Sequence, residues 1–399
     1  MQTAQRRWCA AGAAAALLLP VGPATAWTDA VGFGMWLNYE YNNDTDTSGH
    51  DDTYGDANFE SFNIYADHTH NDWFFTGEVR FGAGSFQGTG IPDAANQAAD
   101  RNVVGIKQLA IGRHLDEAWT VELGKTAVPF TWSRINFWPG ERLTSGFGDQ
   151  RNLGVKLSGD PEGPVDMSFM FIKNQNFGTD TTSLDDGSLS HWGTNNTYRK
   201  LNTLVADFGY TIGATRFGVS VQGGQLANQS GSDELDDAGE AEGALGDAEE
   251  TESHWAVGVY TEGRYGPVDL KAQAVHYDQD QFDEGVLDPD GFQEGLTKGE
   301  GQVVGVSAGY DATPWYTYFD WTMRFQDSEL AGATNDQRFF GEDRTMDLVL
   351  GSRYDYGPGW FYAELLLTNL TQEDDPAGGF YAREGKRNEV LFLTADYYF

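Results

Sequence analysis

The tightest constraint in this 399-residue chain is a two-residue rhythm of side chains, carried by segments whose connections alternate in length. In 315–325, Trp315, Thr317, Phe319, Trp321, Met323 and Phe325 share one face of an extended segment. Tyr316, Tyr318, Asp320, Thr322 and Arg324 share the other. Met346, Leu348 and Leu350 oppose Asp347 and Arg353 in the same way. Leu391, Leu393, Ala395, Tyr397 and Phe399 oppose Thr394 and Asp396. About sixteen such segments, each near the ten residues of a tilted membrane strand, can be traced. They run at 30–42, 57–68, 73–82, 103–114, 117–125, 151–159, 164–173, 201–212, 214–224, 254–264, 267–277, 301–311, 315–325, 344–355, 360–369 and 388–399.

The connections alternate long and short. The short ones, among them 70–72, 160–163, 213–214, 265–267, 312–314 and 356–359, place Gly, Pro, Asn or Asp where a tight turn needs them. The long ones are polar and rich in Asp, Glu and Gly, as in 83–102, 174–200, 225–253, 278–300, 326–343 and 370–387. A soluble sandwich with one dry core gives no reason for that order along the whole chain. The pattern predicts an all-β fold, a transmembrane antiparallel β-barrel of about 16 strands, with short periplasmic turns and long outer loops. A charge facing lipid costs roughly 2–4 kcal/mol at mid-membrane, so the charged face is expected to line the lumen. Tyr39, Tyr41, Trp73, Trp119, Trp255, Tyr310, Trp315, Trp360 and Tyr397 fall near segment ends, where interfacial girdles belong.

The N-terminus sets the expected compartment. Arg6 and Arg7 precede an Ala- and Leu-rich run at 10–19, and Ala24-Thr25-Ala26 has the small-x-small form of an export cleavage site. A signal peptide at 1–26, cleaved after Ala26, would leave a barrel domain at 27–399 in the outer membrane of a Gram-negative bacterium. The sole cysteine is Cys9, ahead of the apolar run, so disulfides, thiolate metal sites and a Cys nucleophile are not expected in the mature chain. Gly 50, Tyr 18, Phe 25 and Trp 12 accompany a mean hydropathy of -0.49, because averaging along an alternating strand hides its apolar face. A net charge of -36 argues against a nucleic-acid partner.

One long connection differs from the rest. The third, 126–150, carries Trp132, Arg134, Phe137, Trp138, Glu141, Arg142 and Phe147 instead of an acidic run. Folded inside a barrel it would bury its aromatics and constrict a pore. Arg134 and Arg142 facing Glu141 and Asp149, with Arg151 beside them, would then set a transverse field. The alternative is packing on the outer rim or on a neighbouring subunit.

The residues around this connection resemble a known family. Val121-Glu122-Leu123-Gly124-Lys125-Thr126-Ala127-Val128-Pro129-Phe130, then Arg151-Asn152-Leu153-Gly154-Val155-Lys156-Leu157-Ser158-Gly159, is similar to phosphate-selective porins O and P and their broad relatives. The resemblance covers roughly 100–165, and it implies a sixteen-stranded, trimeric barrel with the third loop folded inward. Phosphate selectivity does not come with it. Those specialists carry a ladder of lumen arginines. Here the expected lumen bases Arg80, Lys156, Arg216, Arg264, Lys271, Arg324 and Arg353 are scattered among Glu78, Asp166, Asp207, Glu262, Asp269, Asp320, Asp347, Glu364 and Asp396.

The functional expectation is a water-filled channel for passive diffusion of small hydrophilic solutes and ions, general or weakly cation-favouring. The alternatives are an anion- or phosphate-selective porin, and a non-channel acidic barrel that binds ligands. Expected partners are outer-membrane lipid and lipopolysaccharide, a homotrimer of this chain, and the barrel-assembly machinery through Phe399. His68 and His70 could share a metal on one strand face, but they read as solvated turn residues. Asp44-Thr45-Asp46-Thr47-Ser48-Gly49 opens like an EF-hand loop, yet position twelve is Gly55 where Glu is required. His114, His191, His254 and His276 have no nucleophile at a diagnostic spacing. No enzyme, metal or cofactor is expected.

Overall fold

Extended segments with an apolar outer face satisfy their backbone groups only by pairing edge to edge, and in a membrane the sheet has to close on itself. In the computed structural model they do so. The structure describes residues 27–42, 56–81, 104–131, 151–161, 163–173, 198–228, 251–279, 286–287, 293–294, 298–329, 344–368, 370 and 388–399. Its strands are β1 (Trp27–Asn42), β2 (Asp56–His70), β3 (Trp73–Phe81), β4 (Val104–His114), β5 (Trp119–Ala127), β6 (Arg151–Gly159), β7 (Val165–Ile172), β8 (Tyr198–Ile212), β9 (Thr215–Asn228), β10 (Thr251–Tyr265), β11 (Val268–Gln279), β12 (Val286–Leu287), β13 (Gln293–Glu294), β14 (Lys298–Ala312), β15 (Trp315–Glu329), β16 (Arg344–Asp355), β17 (Trp360–Thr368) and β18 (Asn388–Tyr398). Sixteen of them close into one antiparallel barrel; β12 and β13 pair only with each other. β11 pairs with β14, and β1 closes the ring against β18 with Gly34 opposite Tyr398.

Each expected segment coincides with a barrel strand. The edges differ for physical reasons. β9 continues to Asn228 and β15 to Glu329, because backbone pairing persists past the point where the apolar alternation ends. β5 starts at Trp119 rather than at 117, since Asp116 Oδ1 accepts from the backbone N–H groups of Ala118 and Trp119, both at 2.8 Å, and draws those residues into the turn. The other short connections follow the same turn chemistry. Asn71, Gly213 and Gly266 take φ of 53°, 61° and 64°. The short connections share one end of the barrel with the start of β1 and the end of β18, and the long connections leave from the other.

The two faces of the wall are chemically distinct. Leu123, Leu204, Ile111, Val259 and Leu350 are 61, 64, 54, 51 and 46 % exposed on the outer face. So large an apolar surface is expected of a lipid-facing belt. Trp73, Tyr310, Trp315 and Tyr397 flank it at the turn end. Trp360 departs from the expected girdle. It shares the inner face of Tyr362 and Glu364, meets Tyr398 edge-on at 4.9 Å and lies under Arg353. The inner face carries Ser220, Asp207, Gln222, Gln273, Asp320, Thr322 and Glu364, all buried. It is not uniformly polar, because Trp36, Tyr318, Val349, Leu366, Val390 and Phe392 form one apolar cluster on it.

Candidate functional site: the inner wall and the third connection

The third long connection begins inside the barrel. Pro129 stands in a tight three-residue turn in which Phe130 N donates to Val128 O at 2.9 Å, and this turns the chain off the end of β5. Val128 and Phe130 are buried against Met170, Ile172, Val205, Ala256, Val275, Tyr277 and Val303. Those residues are inner-face positions of β7, β8, β10, β11 and β14. The Pro-Phe pair thus has a packing role. Thr131 follows at φ 57°, a region a β-branched residue rarely enters, and its backbone N–H donates to Ser220 Oγ at 2.8 Å. Gly258 gives the clearance. A Cβ there would stand 2.6 Å from Thr131 Cγ2. Of the expected constriction residues, Arg134, Glu141, Arg142 and Asp149 lie outside the described residues. Arg151 opens β6 and is half-buried.

Charged side chains collect into three groups. On β3–β6, Arg80 pairs with Glu78 at 2.6 Å and lies 4.4 Å over the Trp36 ring. Lys156 Nζ sits 2.9 Å from Glu122 Oε1 and donates to Thr126 Oγ1 at 3.0 Å. Lys107 and Lys125 are buried on the same strands. Neither lysine was legible as a wall residue from alternation. Lys107 sits at the β3–β4 register shift, between Gln108, which faces Glu78, and Ile106, which faces Val79. Lys125 follows Gly124, whose φ of 138° breaks the alternation and leaves both Lys125 and Thr126 buried.

The second group spans β7–β11 and is centred on Arg216. Its Nε reaches both carboxylate oxygens of Asp166, at 3.1 and 3.0 Å, and its Nη2 donates to Asp207 Oδ2 at 2.8 Å. Its Nη1 is 3.6 Å from Glu262, which Lys271 meets from the other side at 3.6 Å. The Tyr260 ring lies 5.0 Å beneath the guanidinium, and its hydroxyl donates to Asp207. That ring rests where Gly218 has no side chain. Nearer the turns, Arg264 pairs with Asp311 at 2.6 Å.

The third group lies on β15–β18. Asp320, Glu364 and Asp396 are 3, 0 and 1 % exposed, and Tyr318 donates its hydroxyl to Glu364. Asp347 is half-buried opposite Thr322, and Arg353 stands 5.4 Å over Tyr316. Arg324 is opposite Val303 in the β14–β15 register, and its side chain is outside the described residues. Thus Glu78 meets Arg80, and Arg216, Glu262 and Lys271 form one network, while Lys156 pairs with Glu122 instead of another expected residue.

Among the described residues the histidines do not converge; His191 lies outside them. His70 meets Asn71 at 3.2 Å, His114 meets Thr120 at 3.0 Å and His254 meets Thr203 at 3.0 Å. No group of three or more metal-ligating side chains occurs among the described residues. The EF-hand-like stretch at 44–49 lies outside them.

Comparison with solved structures places this geometry. The outer membrane channel DcaP of Acinetobacter baumannii superposes with a TM-score of 0.60 at 13 % identity, covering 96 % of this chain and 100 % of that one. OmpT, an outer membrane protein of Vibrio cholerae in its trimer form, gives 0.56 at 12 %, over 94 and 100 %. An anion-selective porin from Comamonas acidovorans gives 0.55 at 10 %, over 94 and 100 %. The chain has the barrel fold of outer-membrane porins. No family model matches this chain, and no curated protein sequence does.

Proposed function

We propose that this protein is an outer-membrane porin, a passive channel for small hydrophilic solutes and ions, narrowed by the third long connection at 126–150. The observation that carries this reading is the inward course of residues 128–131, which pack on the inner wall of a barrel whose outer face is apolar. A barrel closed for structure alone has no need of a connection led through its interior. In this reading 1–26 are removed after Ala26, the short turns and both termini face the periplasm, and three copies assemble in lipid and lipopolysaccharide. Phe399 is the residue presented to the assembly machinery.

Selectivity follows from the wall. Arg80, Lys107, Lys125 and Lys156 on β3–β6 are buried or half-buried across the ring from Asp320 and Asp347 on β15 and β16. That arrangement imposes a transverse field and suits a general pore. The basic wall next to the third connection favours one second reading, an anion-preferring pore.

Planar-bilayer recording tests both. Ohmic single-channel steps are expected from the reconstituted protein, and their absence would leave a non-channel, ligand-binding barrel. A reversal potential near zero in a salt gradient is expected of a general pore. A firmly anionic value would transfer the assignment to the second reading and to functional kinship with phosphate-selective porins.

A further inference from the structure

We infer that Ser220 and Gly258 are the positioning residues that seat the third connection on the wall, and that the Arg216 network holds Ser220 in the orientation this requires. The inference rests on the channel reading above.

Ser220 Oγ is a two-way junction. It accepts from Thr131 N at 2.8 Å and donates its own proton to Asp207 Oδ1 at 2.6 Å. A hydroxyl has one proton, so an acceptor on the Asp207 side commits the Ser220 proton and turns its lone pairs toward Thr131. Asp207 is itself fixed by Arg216 Nη2 at 2.8 Å and by the Tyr260 hydroxyl. Arg216 is in turn fixed by Asp166 and approached by Glu262. A chain of charge-assisted bonds therefore runs from β7 through β8 and β9 to one backbone N–H of the inward segment.

Shape agrees with the polar contact. The register sets Ser220 opposite Gly258, so the hydroxyl and the clearance face the same point of the inward chain from adjacent strands. Phe130 Cζ would meet a Cβ on Gly258 at 3.6 Å and Thr131 Cγ2 would meet it at 2.6 Å. No side chain larger than hydrogen fits under Thr131 without displacing it. The Thr131 φ of 57° is unfavourable by itself and needs such an anchor to persist.

The test compares full-length wild type with Ser220→Ala, Ser220→Thr and Gly258→Ala in planar bilayers, with heat-modifiable gel mobility reporting barrel integrity. Loss of the Thr131–Ser220 bond should raise the time spent away from the main conductance level about fivefold. Ser220→Thr keeps the hydroxyl and should return the occupancy toward wild type. Gly258→Ala should shift the main level itself. Should Gly258→Ala fail to fold, the comparison of Ser220→Ala with Ser220→Thr decides by itself. Heat-modifiable Ser220→Ala channels with wild-type conductance and excursion frequency would overturn the inference. Silent wild-type protein would instead sink the channel reading, so the two failures are separable.

Discussion

Phe33 and Phe399 exchange both of their backbone hydrogen bonds, at 2.8 and 2.9 Å, and their rings stack at 5.6 Å. The last residue of the chain is therefore a working part of the seam between β1 and β18. Phe399→Ala removes the stack and keeps the two bonds, so it should cost about 1 kcal/mol. Deleting Phe399 removes the bonds as well and should cost about 2 kcal/mol more. Urea unfolding in lipid vesicles, followed by tryptophan emission, measures both. Equal midpoints for the deletion and the wild type would show that the seam closes without it.

The outer belt makes a separate prediction. Val259 on β10 is 51 % exposed between Val257 and Thr261. Val259→Arg should destabilise the barrel by roughly 2–4 kcal/mol if the site lies at mid-membrane. The same measurement applies, and a change under about 0.5 kcal/mol, typical of a water-exposed surface site, would contradict a lipid-facing belt.

Arg216 should matter more for stability than any ion pair at the rim. Arg216→Ala leaves Asp166 and Asp207 facing each other without their counter-charge. Breaking a buried pair from one side costs about 3 kcal/mol at the low end of its range, and the low end fits because Asp166 is 31 % open to water. Adding Asp166→Asn to Arg216→Ala should recover part of that loss, since one uncompensated charge is removed. A double variant less stable than the single one would argue that Asp166 has another cation to hold it.

Much of this was legible in the chain because membrane strands repeat a simple rule. Phe319, Trp321 and Met323 point outward and Asp320 and Thr322 inward for one reason, the two-residue period, and the turn residues Gly213 and Gly266 mark where the rule restarts. The rule fails where the backbone departs from its period. Lys107 and Lys125 became wall residues through a register shift and a positive-φ glycine, and neither leaves a hydrophobic signature. Ser220 was invisible for a different reason. Its partner Thr131 is 89 residues away, and a serine on an inner face looks like any other polar lining residue until the inward chain is placed on it. The aromatic content of 126–150 raised the expectation of an inward course, of which the described residues cover only 128–131, and it gave no sign of their anchor.

The two charged walls lead to the last prediction. Asp320, Glu364 and Asp396 on one side, and Lys125 and Lys156 on the other, are held in a wall that excludes most water, so their fields are weakly screened by the protein and strongly by lumen salt. Asp320→Asn with Glu364→Gln removes negative charge, which lowers the cation share of the current and moves the reversal potential toward the anion limit. Lys125→Gln with Lys156→Gln removes positive charge and moves it the opposite way. Both displacements should be clear at 0.1 M salt, where the screening length is about 10 Å, and shrink at 1 M, where it is about 3 Å. Displacements of the same sign for the two variants would place these groups outside the conducting path. Displacements of opposite sign that do not fade with salt would mean that the substitutions reshape the pore instead of changing its field.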